Sequence, residues 1–360
     1  MIILYKMIII TGGTGYIGKN IAFYLLSQGE NVLLVDDYSR SSPDSLKSLY
    51  NKLLEYGIPR TSVYFYYLDM TDRYKMNKFF FDDLTELSKN NFVSRVKGVI
   101  HCAGFKSVSE SVINPHSYYR NNIISTLNLI ECLQVLNRIN DQQKLPHIPI
   151  IFSSSTTVYG NNDNPLREDM KCNIENILCP YGKTKYMIEQ ILKDCSKYIK
   201  TVCLRYFNPI GCFKGLDEEI NEHSTTIIPC LIRSVCSDTV FKIYGNDYPT
   251  KDGTCVRDFI DVRDLASAHY KALEYVNKMD GNFDVVNIGT QVGTSVKELV
   301  EEFIVVKKVN IKYEYADKRQ GDVAECYADS KKANEKLSWS PVYTLKQSIQ
   351  SIRVNLHLDR

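Results

Sequence analysis

A short apolar run, Met7 to Ile10, leads directly into Thr11-Gly12-Gly13-Thr14-Gly15-Tyr16-Ile17-Gly18, and an apolar stretch at helical spacing follows through Ile21, Leu25 and Leu26. A strand, a glycine loop and a helix in that order constrain the fold more than any other feature. Glycines 12, 15 and 18 remove side chains where the loop turns tightly, where backbone approaches a pyrophosphate and where helix packs on strand. The helix N-terminus then faces negative charge. Asn31 to Val35 reads as a second strand ending at Asp36 and Asp37, and Ser42-Pro43-Asp44 opens a helix whose Leu46, Leu49, Leu53 and Leu54 form one apolar stripe. Asp36, 24 residues past Gly12, stands where a carboxylate accepts hydrogen bonds from an adenosine ribose and repels a 2′-phosphate, which favours NAD over NADP. Asp69, with Met70 beside it, follows the third strand and is a weaker candidate of the same kind, for the adenine.

Further strands are expected at Val63 to Tyr67, Val96 to Ile100, Ile148 to Phe152 and Thr201 to Arg205, separated by helical segments around Met76 to Leu87, Tyr118 to Leu136 and Tyr181 to Leu192. This alternation predicts an α/β fold, a doubly wound parallel sheet of the Rossmann type, with a second, smaller α/β substrate domain. The expected division is 1–205 and 206–360, interleaved, with part of 250–275 returning to the first domain. The stretch from Phe79 to Ser94 reads as a surface helix and loop. With 44% hydrophobic and 24% charged residues among 360, the chain has a globular make-up, and a net charge of +2 offers no global field for nucleic acid. The eleven cysteines are odd in number, lack any Cys-x-x-Cys pair and have no histidine cluster at ligand spacing, so a reduced, cytoplasmic thiol set without metal is expected. Lys6 interrupts the apolar N-terminal residues, which read as strand and extension rather than a signal or membrane segment.

Tyr181 and Lys185 lie four apart on a predicted helix, hence on one face, where an ammonium stabilises a phenolate. The spacing recurs at Tyr74/Lys78 and Tyr327/Lys331, so alone it means little. Only Tyr181 follows a strand ending in Ser153-Ser154-Ser155, which brings a hydroxyl to the C-terminal edge of the sheet where ligands bind. Lowering a phenol from ~10 toward neutrality takes about 4 kcal/mol, within reach of one ammonium and a cationic nicotinamide. Tyr181 is therefore expected to act as a base.

Thr11 to Gly18, Ser155, Tyr181 and Lys185 resemble the glycine motif and catalytic triad of the extended short-chain dehydrogenases. Within them, Ala103-Gly104-Phe105-Lys106, Ser111-Val112, Tyr181-Gly182-Lys183, Arg205-Tyr206-Phe207-Asn208-Pro209, Gly245-Asn246-Asp247-Tyr248-Pro249-Thr250 and Arg319-Gln320-Gly321-Asp322 are similar to the UDP-galactose 4-epimerase family, nearly end to end. The resemblance implies that Tyr181 takes the proton of the sugar 4-hydroxyl, Ser155 hydrogen-bonds the same oxygen, and Lys185 lowers the phenol pKa and holds the nicotinamide ribose. Hydride passes to tightly bound NAD and returns to the other face of the 4-keto sugar. Tyr16, Ile17, Ala103 and Gly104 then belong to the cofactor pocket, and Lys106 and Asn121 line the nicotinamide and its ribose. Arg257 and Arg319 match diphosphate-binding arginines, suited to the task by bidentate geometry. Asn208 matches a contact to the same diphosphate, Tyr244 an aromatic beside uracil, and Asp322 a carboxylate on the uridine ribose.

Departures from the family pattern occur at Thr226, where paired asparagines are usual, and at Cys102, where an aromatic is common. At Cys326 a bulky tyrosine marks members restricted to unsubstituted sugars, so the cysteine implies room for a 2-acetamido group. A 4,6-dehydratase would need Asp-Glu after the active-site hydroxyl residue, and Thr156-Thr157 stand there instead. A UDP-glucuronate epimerase or decarboxylase and a non-catalytic NAD-binding sensor stay open as alternatives. The family resemblance also implies a homodimer.

Overall fold

The computed structural model describes residues 7–84, 96–220, 224–319 and 321–354. Its centre is a seven-stranded, all-parallel sheet in the order Phe283–Ile288, Thr201–Tyr206, Ile150–Ser155, Val96–His101, Met7–Thr11, Asn31–Asp36, Val63–Tyr67. Strand order reverses at Met7–Thr11, which pairs with both Asn31–Asp36 and Val96–His101. A crevice opens there beyond the strands' carboxyl ends.

One face of the sheet is covered by helices Tyr16–Ser27, Pro43–Glu55 and Val262–Val276, and the other by Pro115–Gln143 and Pro180–Asp194. Ser42 and Pro43 start the second of these helices with Asp44 in its first turn, and proline at the first turn likewise opens Pro115–Gln143 and Pro180–Asp194, where the missing N–H costs no hydrogen bond. Leu49 and Leu53 are wholly buried, worth ~1.5–3 kcal/mol each against exposure. Leu54, expected on the same stripe, is 81% exposed, because it lies about 100° round the helix from Leu53.

Two further differences concern order along the chain. Phe79 and Phe80, expected at the surface, are buried in a π-helical turn against the Pro115–Gln143 side of the core, while residues 85–94 of that stretch lie outside the described residues. The return of the second half to the sheet reaches beyond the expected 250–275: helix Val262–Val276 packs on Tyr16–Ser27, and Phe283–Ile288 then pairs with Thr201–Tyr206 as the seventh strand. The remaining segments build a separate core around Leu231, Leu299 and Phe303, with Phe241–Tyr244 paired to Tyr313–Ala316. Among the described residues no helix is long and apolar enough to cross a membrane.

Candidate active site

A single cavity of about 540 Å³ lies along the crevice, and its wall contains every site residue expected from the sequence, from Gly12 and Asp36 at one end to Tyr244 and Arg319 at the other. At the first end Gly12 has φ +65°, and a Cβ there would stand 2.8 Å from Ala103 N. A Cβ on Gly18 would meet Gly12 O at 2.2 Å, so only glycine lets the helix sit this close to its own loop. The helix has Gly15 as its N-cap with no side-chain cap, so the cavity faces bare amides at a positive dipole end. Loop and helix end thus make a cradle for a diphosphate, and Asp36 stands in the same wall.

Asp36 accepts hydrogen bonds from Thr14 N at 3.1 Å and Tyr38 N at 2.9 Å, so it clamps the glycine loop as well as lining the cavity. Burial raises its pKa, partly offset by those bonds. Asp69 holds Thr71 through N–H and hydroxyl at 2.8 and 2.7 Å, and Asn128 ties down the Met70 carbonyl at 2.8 Å. The Ala103 to Lys106 loop is held by Asn122, which bonds Phe105 N at 2.8 Å and Phe105 O at 3.1 Å and donates to Thr184 at 3.1 Å. Neighbouring Asn121 donates to Asn122 Oδ1 at 3.2 Å. Lys106 pairs with Glu218 at 2.5 Å, and Thr226 donates to the other Glu218 oxygen at 2.8 Å. Glu218, which the sequence reading did not single out, therefore occupies both the ammonium and the hydroxyl expected to face ligand. Arg40, also missed, lines the cavity beside Asp36, pairs with Glu110 at 2.6 Å and lies 4.1 Å from the Phe105 ring centroid.

In the middle of the cavity Ser155 caps a short turn, accepting from Thr157 N at 3.3 Å and Thr157 Oγ1 at 3.0 Å. Tyr181 is half-buried and lines the cavity with Ser155 and Lys185. Lys185 gives its ammonium to Ser153 O at 2.8 Å and lies 4.7 Å from the Phe152 ring centroid and 5.9 Å from that of Tyr181. Burial pushes the Tyr181 phenol up to about 12 against the pull of the Ser155 bond, and pulls Lys185 down to about 8. The expectation joined Lys185 to a cationic nicotinamide in lowering the phenol, and among the chain's own groups burial is the larger influence. One of the three ammonium donors goes to the Ser153 carbonyl, and removal of water from both groups sets the direction of each shift. The recurrent pair Tyr74/Lys78 is a surface one, with Tyr74 76% exposed and Lys78 bound to Asp83.

At the far end Arg319 stacks on Tyr244, its guanidinium 3.8 Å from the ring centroid. Arg257 donates to Val256 O at 2.8 Å and Val323 O at 2.9 Å, with Asp322 at 3.4 Å. Asn208 opens the strand paired with Phe259–Asp261. Cys326 is the register partner of Arg257, packs among Val158, Leu166 and Phe207, and shows only its small side chain to the cavity.

The arrangement matches proteins of known kind. A UDP-glucose 4-epimerase of Bacillus subtilis (strain 168) is 38% identical over 339 residues, covering 92% of this chain and 91% of that protein. The crystal structure of UDP-glucose 4-epimerase from Bifidobacterium longum in complex with NAD+ and UDP is similar with a TM-score of 0.80 at 34% identity, over 96% of each chain. The UDP-Glc/GlcNAc 4-epimerase of Campylobacter jejuni is similar with a TM-score of 0.72 at 32% identity, over 96% of this chain and 97% of that one. The model of the NAD dependent epimerase/dehydratase family matches residues 8–289. With the match spanning the glycine loop, the Ser155-Tyr181-Lys185 cluster and all seven strands of the sheet, the chain belongs to the NAD dependent epimerase/dehydratase family.

Proposed function

We propose that the chain interconverts UDP-galactose and UDP-glucose, as a UDP-glucose 4-epimerase with tightly held NAD. The observation that carries this reading is the cavity in which Tyr181, Ser155 and Lys185 lie between a glycine-loop cradle and the arginines 257 and 319. The cradle, whose backbone packs too closely to admit a Cβ at Gly12 or Gly18, has Asp36 in the same wall and suits NAD. When bound, NAD supplies a hydride acceptor and donor and a positive charge beside the phenol. Tyr181 removes the proton of the sugar 4-hydroxyl and returns it, Ser155 holds that oxygen by hydrogen bond, and Lys185 together with the positive charge of NAD favours the phenolate. Arg257 and Arg319 bind the diphosphate with Asn208, Tyr244 stacks by uracil, and Asp322 takes the uridine ribose. Lys106 and Thr226 reach ligand by exchanging their bonds to Glu218.

The small side chain of Cys326 supports a second substrate pair, UDP-N-acetylglucosamine and UDP-N-acetylgalactosamine. The domain reading assigns 1–205 to the cofactor and 206–360 to the UDP-sugar, interleaved through the returning segment. A homodimer is proposed through the helix that carries Tyr181, Pro180–Asp194, together with Pro115–Gln143 packed against it, where Ile124, Leu127 and Val135 line one half-exposed stripe. Eleven free cysteines fit a reducing, cytoplasmic compartment. The test is incubation of purified protein with UDP-galactose and no added NAD, alongside Tyr181→Phe and a UDP-N-acetylglucosamine reaction. Conversion lost in the variant supports the reading, and no conversion even with NAD supplied overturns it.

A further inference from the structure

Asn208, Arg257 and Cys326 reach the cavity from three segments far apart in the chain, and one residue behind the wall joins all three. Asp258 follows Arg257 and is 0% exposed. Its N–H donates to Cys326 O at 3.0 Å, and its carbonyl accepts from Asn208 N at 2.9 Å. Its side chain reaches a fourth segment. The carboxylate accepts from Thr290 N at 2.8 Å, Thr290 Oγ1 at 2.5 Å and Gln291 N at 3.0 Å, and also from Ala328 N, two residues past Cys326, at 3.2 Å. Thr290 and Gln291 follow Gly289 at the end of Phe283–Ile288, the seventh strand of the central sheet.

The joint is tight and leaves the side chain little choice. A Cβ on Gly289 would stand 2.6 Å from Asp258 Oδ2 and 2.7 Å from Ala328 Cβ, so only glycine lets the strand end come this close. Backbone N–H groups face both carboxylate oxygens, and an ionised carboxyl, which only accepts, is the form that suits them. Burial pushes the Asp258 carboxyl up, and the bonds from Thr290, Ala328 and Gln291 pull it back.

We propose that Asp258 is a positioning residue for the UDP-sugar: it ties Asn208, Arg257 and the Cys326 wall to the end of the seventh strand, and so fixes where diphosphate and sugar lie against the sheet that carries the cofactor. It touches no ligand and acts through those three residues. The inference deepens the epimerase reading above and rests on its placement of the diphosphate at Asn208 and Arg257 and of the sugar beside Cys326.

The test uses the full chain with its NAD. In Asp258→Asn, whichever oxygen becomes the amide nitrogen meets a backbone N–H, that of Thr290 on one side or of Gln291 on the other. Kd for UDP, read by calorimetry, and KM for UDP-galactose are expected to rise together about tenfold, with kcat and bound NAD per chain within about twofold. Thr290→Val removes the hydroxyl bond and leaves the backbone ones, and should raise both constants about threefold. Thr290→Ser keeps the hydroxyl and should match wild type, and this pair decides the matter if Asp258→Asn does not fold. A folded Asp258→Asn that binds UDP within about twofold of wild type overturns the proposal, as does one that loses NAD and UDP affinity in equal measure, or a valine variant indistinguishable from the serine one. Wild-type protein that holds NAD but does not bind UDP overturns the epimerase reading and this inference with it, whereas UDP bound equally by wild type and variants overturns this inference alone.

Discussion

Removing one charge from the buried Glu189–Arg205 pair tests what the sheet's polar interior contributes. Glu189 and Arg205 are 1% and 5% exposed, and the guanidinium engages both carboxylate oxygens, Nε at 3.0 Å and Nη2 at 2.7 Å. Burial works against the Arg205 charge, but the Glu189 bonds and charge overcome it and raise its pKa. Among the described residues Nη1 has no hydrogen-bond partner, so Glu189 carries the pairing of Arg205. In Glu189→Gln the guanidinium keeps its proton and meets an amide whose N–H groups point donor to donor. The expected cost is ~3–5 kcal/mol for an unpaired buried charge. Both groups are almost fully buried, so solvent screening does not discount that figure. At roughly 2 °C per kcal/mol for a chain this large, thermal unfolding should come about 6–10 °C earlier. The double variant Glu189→Leu/Arg205→Met, which removes both charges, should recover most of the loss. A Glu189→Gln protein melting within about 2 °C of wild type would refute the reasoning.

Other outcomes follow from the site. Tyr181→Phe should lower kcat about 10²–10⁴-fold while UDP still binds, measured by conversion assay and calorimetry. Gly18→Ala, whose Cβ would press on Gly12 O at 2.2 Å, should weaken NAD binding by on the order of tenfold or more through lost loop amide contacts; fluorescence titration reads this. Cys326→Tyr should abolish conversion of UDP-N-acetylglucosamine and spare UDP-galactose, read by chromatography of both reactions. Burial of His269 on helix Val262–Val276 depresses its folded pKa to about 4, so its share of stability is complete above ~6.5 and is lost as pH falls toward 4. In denaturant melts between pH 6.5 and 4.5, wild type should lose ~1.4 kcal/mol per pH unit more than His269→Gln.

Elements whose signal is local were readable from the sequence. The glycine loop, the alternation of strands and helices up to residue 206, and the Ser155-Tyr181-Lys185 spacing depend on neighbours within a few turns, and the structure brings all of them to one crevice. Contacts made across the fold were not readable. Phe283–Ile288 has an apolar run as clear as earlier strands, but nothing in it says that it pairs with Thr201–Tyr206 across the intervening chain. Glu218 is one carboxylate in an acidic stretch until folding sets it between Lys106 and Thr226. The upward push on the Tyr181 phenol was not readable, because charge spacing is visible in a sequence whereas the water removed from around a side chain is not. His269 gave no signal at all, since its two partners are a backbone carbonyl and a hydroxyl 63 positions away.

The late seventh strand also bears on how the chain is made. Thr201–Tyr206 has a partner on one side only until Phe283–Ile288 arrives, and synthesis at ~5–20 residues per second leaves that edge open for roughly 4–16 s as residues 207–288 emerge. An unpaired parallel edge is a template for another strand, so on the ribosome the period of greatest aggregation risk opens after the cofactor loop and catalytic helix have been synthesised and closes when residue 288 is free to dock.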